Sequence, residues 1–271
     1  IGARRIGSAT TAVRWIITDS RSLCFPEESI FFALNTIAAT YIETLYERGV
    51  RQFVVCEADE KSVTMHRDAN YLVTPCALTA LQRLAERHRE RFSCPVIGIT
   101  GSNGKTIVKE WLYRMLMADR NITRSPRSYN SQIGVPLSVW GMDEDTTLGI
   151  FEAGISMPGE MARLQGIIQP TIGVFTNLGP AHQENFDGPQ QKAVEKLGLF
   201  KDTETLVVNT DDLLVRRSLA MSEFRGRIVT WSRTSREAEV YIEDRKDGSL
   251  PTCTIKGSSF VMPFSDEASV S

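Results

Sequence analysis

The chain has 271 residues, with 31 Lys and Arg against 33 Asp and Glu, a net charge of −2 and a pI near 6.0. That balance lacks the basic excess a nucleic-acid-binding surface requires. Its hydrophobic content of 42% supplies a core, and the length accommodates two domains of ordinary size. No run approaches the roughly 18 apolar residues of a membrane span, and the opening Ile1-Gly-Ala-Arg-Arg lacks an apolar signal core. The five cysteines (Cys24, Cys56, Cys76, Cys94, Cys253) are scattered without a C-x-x-C pair, the pattern of reduced thiols in a cytoplasm rather than of disulfides or a zinc site.

Residues 1–92 read as a small α/β domain. Strands are expected at 13–18, 29–34, 52–56 and 71–74, with a polar turn, Asp19-Ser-Arg-Ser22, after the first. Residues 41–48 have helical spacing and stop at Gly49. A second amphipathic helix follows Pro75, with Leu78, Leu81, Leu84 and Ala85 on one face. The charged stretch 86–92 reads as its exposed end and a linker, placing the domain boundary near 90–94.

The second domain, 93–271, is organised around Pro95-Val-Ile-Gly-Ile-Thr-Gly-Ser-Asn-Gly-Lys-Thr106. A short apolar run, a glycine-punctuated turn and an amphipathic helix from residue 107 form the pattern of a phosphate cradle, in which backbone N–H groups and the helix dipole converge on an anion. Gly101 and Gly104 let the backbone approach phosphate oxygens, with Ser102 and Asn103 between them. Lys105 can reach the β/γ-phosphates, and the Thr106 hydroxyl can ligate Mg²⁺. Ile99 stands where the general phosphate-loop pattern has its first glycine, Gly98 being one residue early. The competing reading is an ordinary strand-to-helix turn with a solvated lysine.

Beyond it, strands at 147–151, 171–175, 205–209 and 227–231 alternate with helices near 158–168, 189–200 and 212–220, predicting a doubly wound, mostly parallel sheet. Ligands in such sheets sit beyond the carboxyl ends of the strands. Three ends stand out there: Glu152, a hard oxygen ligand; His182, in a strand-end loop; and Asn209 with Asp211, able to hydrogen-bond a base or ribose or simply to cap a turn. The tail, 238–243, 253–256 and 259–263, reads as antiparallel hairpin strands joined at Asp247-Gly with no closing element, as in an incomplete domain.

Five segments in order, Gly98-Ile-Thr-Gly-Ser-Asn-Gly-Lys-Thr106, Tyr129-Asn-Ser-Gln-Ile-Gly-Val-Pro136, Phe151-Glu-Ala-Gly154, Pro158-Gly-Glu160 and Thr176-Asn-Leu-Gly-Pro-Ala-His182, resemble the Mur ligases, ATP-dependent amide-forming ligases of peptidoglycan precursor synthesis. Within that family the resemblance is to the type that adds D-alanyl-D-alanine to UDP-N-acetylmuramoyl-tripeptide. It implies ATP and Mg²⁺ as cofactors, with Lys105 on the ATP phosphates, Thr106 and Glu152 on a first Mg²⁺ and His182 on a second. Lys196 falls where the family has a lysine that is often carbamylated and then metal-binding, although Gly198 stands where an acidic residue is common. The resemblance further implies Asn209 and Asp211 near adenosine, Ser20 and Arg21 on the UDP-sugar, and Asn130 and Ser131 near the sugar-peptide or the phosphate. Its chemistry is an acyl phosphate at the tripeptide carboxylate, attacked by the D-alanyl-D-alanine amine. Two departures stand out: residues 35–40 stand where the family has a longer glycine-containing substrate loop, which is either reduced or has residues missing between Leu34 and Tyr41, and the family's third, C-terminal ligase domain is not in the sequence. Some members are also fused to an alanine racemase. A cytoplasmic enzyme acting on small molecules, alone weakly active or inactive, is the leading expectation. The alternatives are another ligase of the superfamily, of amino-acid-adding or folylpolyglutamate type, and a non-catalytic nucleotide-binding regulatory module.

Overall fold

A computed structural model describes residues 2–7, 12–179, 185–222, 224–243 and 250–261. The chain divides into two compact units, Ile1–Arg87 and His88–Ser271.

The first unit contains β1 (Arg4–Ile6), β2 (Trp15–Ile17), β3 (Ser29–Phe32), α1 (Thr36–Ala39), α2 (Ile42–Glu47), β4 (Gln52–Cys56), β5 (Asn70–Thr74) and most of α3 (Ala77–Arg89). Its sheet runs β1-β5-β4-β3-β2, parallel except for β1. Alternation along the strands puts Phe31, Phe53, Val55 and Tyr71 on one face, where Ile42 and Leu45 of α2 pack against them. Each such fully buried side chain contributes about 1.5–3 kcal/mol. The α2 helix gives way at Gly49, whose φ of +101° only glycine adopts at little cost. Residues 35–40 form a one-turn helix capped by the Asn35 side chain, which accepts from Ala38 N at 2.8 Å.

The second unit contains β6 (Val96–Thr100), α4 (Lys105–Leu116), β7 (Ile122–Arg124), α5 (Gly134–Val139), β8 (Leu148–Glu152), α6 (Glu160–Ile168), β9 (Ile172–Phe175), α7 (Pro189–Leu197), β10 (Thr205–Asn209), α8 (Leu213–Met221), β11 (Arg227–Ser232), β12 (Val240–Glu243), β13 (Thr252–Ile255) and β14 (Ser258–Val261). The sheet order is β14-β13-β12-β11-β10-β9-β6-β8-β7. Strands β7 to β12 are parallel, and β13 and β14 add an antiparallel meander. The sequence placed these last strands, but the Asp247-Gly turn lies outside the described residues.

Strand β6 is the switch point. From β6 the chain goes out to the edge strand β7, returns to β8 and then crosses to β9, β10 and β11 on the other side, so the crossovers leaving β6 and β9 run in opposite directions and the crevice at their carboxyl ends is where such sheets bind ligands. Both faces of β6 are covered. Ile97, Ile99 and Ile150 pack under Val108, Leu112 and Leu116 of α4. On the other face Gly98 and Gly173, paired in register, leave room for Pro170 and for Phe200 of a short turn after α7; a Cβ would lie 2.8 Å from Pro170 Cβ at Gly98 and 2.4 Å from Phe200 Cδ1 at Gly173. That packing accounts for the early glycine in the phosphate-loop sequence.

One expectation is corrected. The stretch after residue 86 is not wholly an exposed linker: Arg89 is buried, and its guanidinium donates to Ile168 O at 3.0 Å, Gln169 O at 3.2 Å and Phe92 O at 2.5 Å. The last carbonyls of α6 have no intrahelical donors, and a forked cation satisfies both their hydrogen bonds and the negative end of the helix dipole. Charge alone could not distinguish this buried arginine from the solvated ones beside it.

Candidate phosphate-binding site

The loop between β6 and α4 is built around Gly101, at φ +147°, and Gly104, at φ +80°. A Cβ on Gly101 would lie 2.0 Å from Thr176 Oγ1 and 3.0 Å from both N and O of Asn177. The closeness reflects how the end of β9 clasps the loop. Ser102 N donates to Asn177 O at 2.8 Å, Asn103 N donates to Asn177 Oδ1 at 3.0 Å, and Thr176 Oγ1 donates to Asn103 O at 2.6 Å. Gly179 N donates to Ser102 Oγ at 2.8 Å. Two of the loop N–H groups expected to face phosphate are thus engaged by Asn177, and the anion-binding role falls to the start of α4, whose first N–H groups have no intrahelical acceptor.

Lys105 Nζ folds back onto its own loop, donating to Gly101 O at 3.0 Å and Ser102 O at 3.3 Å. Gly101 O also accepts from Lys196 Nζ, at 3.1 Å, while Lys192 Nζ donates to Gly179 O at 2.6 Å. Lys192 and Lys196, one turn apart on α7, are both buried. Burial pushes the Lys196 ammonium down to about 7, with Lys105 and Lys192 adding repulsion. Burial also lowers Lys105, and Glu152 opposes that shift. Three lysine side chains around three backbone carbonyls, Gly101 O, Ser102 O and Gly179 O, form a region of positive potential matched to a polyphosphate.

Thr106 Oγ1 donates to Glu152 Oε2 at 3.0 Å and lies 3.1 Å from Ser128 Oγ; Asn130 Nδ2 reaches the same Glu152 oxygen at 3.5 Å. Glu152 is completely buried at the end of β8, and its backbone N donates to Ser125 Oγ at 3.1 Å. Its Oε1 lies 3.0 Å from Lys109 Nζ, an ion pair without hydrogen-bond alignment. A cleft of about 350 Å³ opens over the loop, with Lys105 and Thr106 on one wall and Ser128 and Asn130 on the other. Among the described residues no three His, Cys, Asp or Glu side chains cluster as an all-protein metal cage. A buried carboxylate oxygen beside a hydroxyl, next to a phosphate cradle, is instead the donor set of Mg²⁺, which takes few protein oxygens and completes its shell with water and phosphate.

The remaining expected residues have local partners. Ser131 Oγ accepts from Gly134 N, the first residue of α5, at 3.1 Å. Asn209 Oδ1 accepts from Asp211 N at 2.7 Å. The Asp211 carboxylate accepts from Ser232 Oγ at 2.5 Å, Thr234 Oγ1 at 2.6 Å and Arg233 N at 2.7 Å. Burial pushes that carboxyl up, but the hydrogen bonds outweigh it and hold it below the usual range. Asp211 therefore ties down the end of β11. His182 lies outside the described residues. Glu160 orders the loop after β8, accepting from Ser156 N at 2.6 Å and Met157 N at 2.9 Å. In the first unit, Asp19 accepts from Arg21 N and Nε at 2.9 Å and from Nη2 at 2.6 Å, which holds its carboxyl at about 2. Arg48 Nη1 donates to Ser20 O at 2.9 Å, and the Arg21 side chain is exposed.

Sequence reasoning missed Lys109, Lys192, Asn177 and Ser128. For the two lysines a signal existed, since each stands four residues from a lysine already singled out and hence on the same helical face.

Comparison with known proteins matches the Mur ligase middle domain to residues 99–264. The UDP-N-acetylmuramoyl-tripeptide–D-alanyl-D-alanine ligase of Bacillus subtilis is 28% identical over 211 residues, 75% of this chain and 45% of that protein. The ligase of the same name from Borreliella burgdorferi is 34% identical over 190 residues, 67% of this chain and 41% of that protein. Among solved structures, a crystal structure of MurF from Acinetobacter baumannii superposes with a TM-score of 0.80 at 21% identity, covering 95% of this chain and 58% of that one. MurF ligase from Thermotoga maritima in complex with ADP superposes with a TM-score of 0.77 at 23% identity, covering 92% and 57%. The chain spans less than half the length of these two sequence relatives. No helix among the described residues is long and apolar enough to cross a membrane. With more than half of its residues matched by the middle-domain family and the phosphate loop at the switch point of the sheet, the chain belongs to the Mur ligases.

Proposed function

We propose that this chain is the UDP-sugar-peptide-binding and ATP-binding part of a cytoplasmic ligase that adds D-alanyl-D-alanine to UDP-N-acetylmuramoyl-tripeptide. The observation that carries the reading is the buried Glu152 carboxylate, 3.0 Å from the Thr106 hydroxyl beside the phosphate loop. A bare anion-binding turn has no use for a buried carboxylate, whereas a magnesium nucleotide does. The names of the sequence relatives supply the substrate class.

In the proposed reaction the γ-phosphoryl group of ATP passes to the C-terminal carboxylate of the tripeptide, giving ADP and an acyl phosphate. The amine of D-alanyl-D-alanine then attacks the acyl carbon, the amide forms, and phosphate leaves. Lys105 turns from Gly101 O and Ser102 O to the nucleotide phosphates, and Lys192 adds positive potential on the same side. Thr106 and Glu152 hold Mg²⁺, which when bound offsets phosphate charge and orients the phosphates; His182 is the proposed partner of a second ion. Lys196, held near neutrality by burial, is an amine able to take up carbon dioxide as a carbamate, which would turn it into a metal ligand. Asn130 and Ser131 line the approach of the sugar-peptide, Asn209 and Asp211 lie toward the adenosine, and Ser20 and Arg21 take the UDP moiety. The rest of the amine site belongs to a further ligase domain.

Calorimetric titration with UDP-N-acetylmuramoyl-tripeptide and, separately, with the dipeptide form tests the assignment. Preferential binding of the tripeptide form, weakened in Arg21→Ala, supports it. Preference for the dipeptide form would move the chain to an amino-acid-adding ligase, and a response to neither would sink the substrate reading.

A further inference from the structure

Lys109 sits one helical turn beyond Lys105 on α4 and is completely buried. Its ammonium donates to Ser125 O at 2.8 Å and to Arg127 O, and lies 3.0 Å from Glu152 Oε1 and 3.2 Å from Glu110 Oε1. Arg127 has φ +49°, a left-handed conformation uncommon for a residue with a side chain. The segment held by these contacts carries the wall of the cleft: Ser128 faces Thr106 and Asn130 reaches Glu152. One buried cation therefore joins the phosphate-binding helix, the loop after β7 and the carboxylate at the end of β8.

We propose that Lys109 is a positioning residue of the nucleotide site, fixing the Glu152 carboxylate through Oε1 so that Oε2 and the Thr106 hydroxyl stand as a preformed oxygen pair for the divalent cation of a nucleoside triphosphate. The inference rests on the nucleotide reading above. A buried carboxylate without a countercharge is costly and is driven to rotate towards water or to be neutralised. An ammonium at Oε1 removes that drive on one side of the carboxylate and leaves the other side to Thr106. An ammonium has N–H donors and no acceptor; hydrogen bonds to Ser125 O and Arg127 O direct two of them and hold the charge beside Glu152 Oε1, so its position is set by the loop after β7 as well as by its own helix. Lys109 touches neither nucleotide nor metal and acts through Glu152 and the 125–130 segment.

The test compares the 271-residue chain with its Lys109→Met variant, titrated with a non-hydrolysable ATP analogue in Mg²⁺ and in EDTA. The expected result is a split: affinity in EDTA stays within about threefold, while the gain conferred by Mg²⁺ falls by on the order of tenfold or more, as for other residues that orient a metal ligand. A folded variant that keeps the full Mg²⁺-dependent gain overturns the proposal and leaves Lys109 a structural strut. Wild-type chain that binds no nucleotide overturns the underlying reading as well. Should Lys109→Met fail to fold, Lys109→Met/Glu152→Gln decides the matter, because the uncompensated carboxylate is then gone. Recovery of a cooperative melt in the double variant supports the pairing, and a double variant as unfolded as the single one overturns it.

Discussion

Replacing Gly101 by alanine tests the central geometric feature of the phosphate loop. The added Cβ would meet Thr176 Oγ1 at 2.0 Å and two backbone atoms of Asn177 at 3.0 Å, at a φ of +147°. The threonine hydroxyl could rotate, but its bond to Asn103 O at 2.6 Å would be lost, and the Asn177 backbone is held by its own bond from Ser102 N. Backbone strain at such an angle costs about 1–3 kcal/mol, and overpacking against fixed atoms adds about 1–3 kcal/mol. A total of about 2–6 kcal/mol corresponds to a fall in Tm of roughly 5–20 °C for a unit of this size. If the loop shifts instead of the fold melting, the displaced Gly101 carbonyl takes Lys105 and Lys196 with it, and nucleotide affinity drops. Gly159→Ala is the control: its φ is +82° with nothing within 4 Å of the added Cβ, so it carries strain alone, about 1 kcal/mol. Differential scanning calorimetry and nucleotide titration read both quantities. A Gly101→Ala variant melting within about 2 °C of wild type and binding nucleotide as well would refute the clasp between the ends of β6 and β9.

Two further predictions concern buried cations. Lys196 has a folded-state value of about 7 against an ordinary 10.5, so between those values the unfolded chain holds the extra proton. Its contribution is a penalty, fully present below about pH 7 and relieved as pH rises toward 10.5, so this group makes stability increase with pH. Urea denaturation of Lys196→Met should therefore show the variant gaining on wild type at pH 6 and losing that advantage by pH 10; a difference independent of pH would contradict the origin assigned to the shift. Arg89→Met removes the donors to three carbonyls, two of them at the end of α6, and should destabilise the second unit by about 2–4 kcal/mol. Urea unfolding measures this, and a loss below about 1 kcal/mol would show that water replaces the guanidinium there.

How much of this was legible in the sequence depended on the kind of signal. The buried strands of the second unit were readable because Val96 to Ile99 or Leu206 to Val208 are continuous apolar runs, and a central parallel strand requires that. The three-residue strands β1 and β7, Arg4–Ile6 and Ile122–Arg124, were not, because such short polar segments are strands only through their pairing with β5 and β8. The phosphate loop was readable from Gly101, Gly104, Lys105 and Thr106, since each residue type answers a local demand. Lys109, Lys192 and Asn177 act through contacts 13 to 75 residues away in sequence, at Ser125, Glu152, Gly179 and Ser102; helical spacing from Lys105 and Lys196 marks the face of the two lysines, but no local rule announces these partners. Asp211 was readable only as two alternatives, a ligand group or a turn cap, because its bonds from Ser232, Arg233 and Thr234 come from more than 20 residues away.

The most direct test is calorimetric titration of the chain with Mg²⁺ and a non-hydrolysable ATP analogue, beside Lys105→Ala and Glu152→Gln. Mg²⁺-dependent binding by wild type, abolished in the first variant and stripped of its Mg²⁺ dependence in the second, is the result predicted from the cradle at the end of β6 and the Thr106–Glu152 pair. Binding that survives both substitutions, or no binding by wild type, would contradict it.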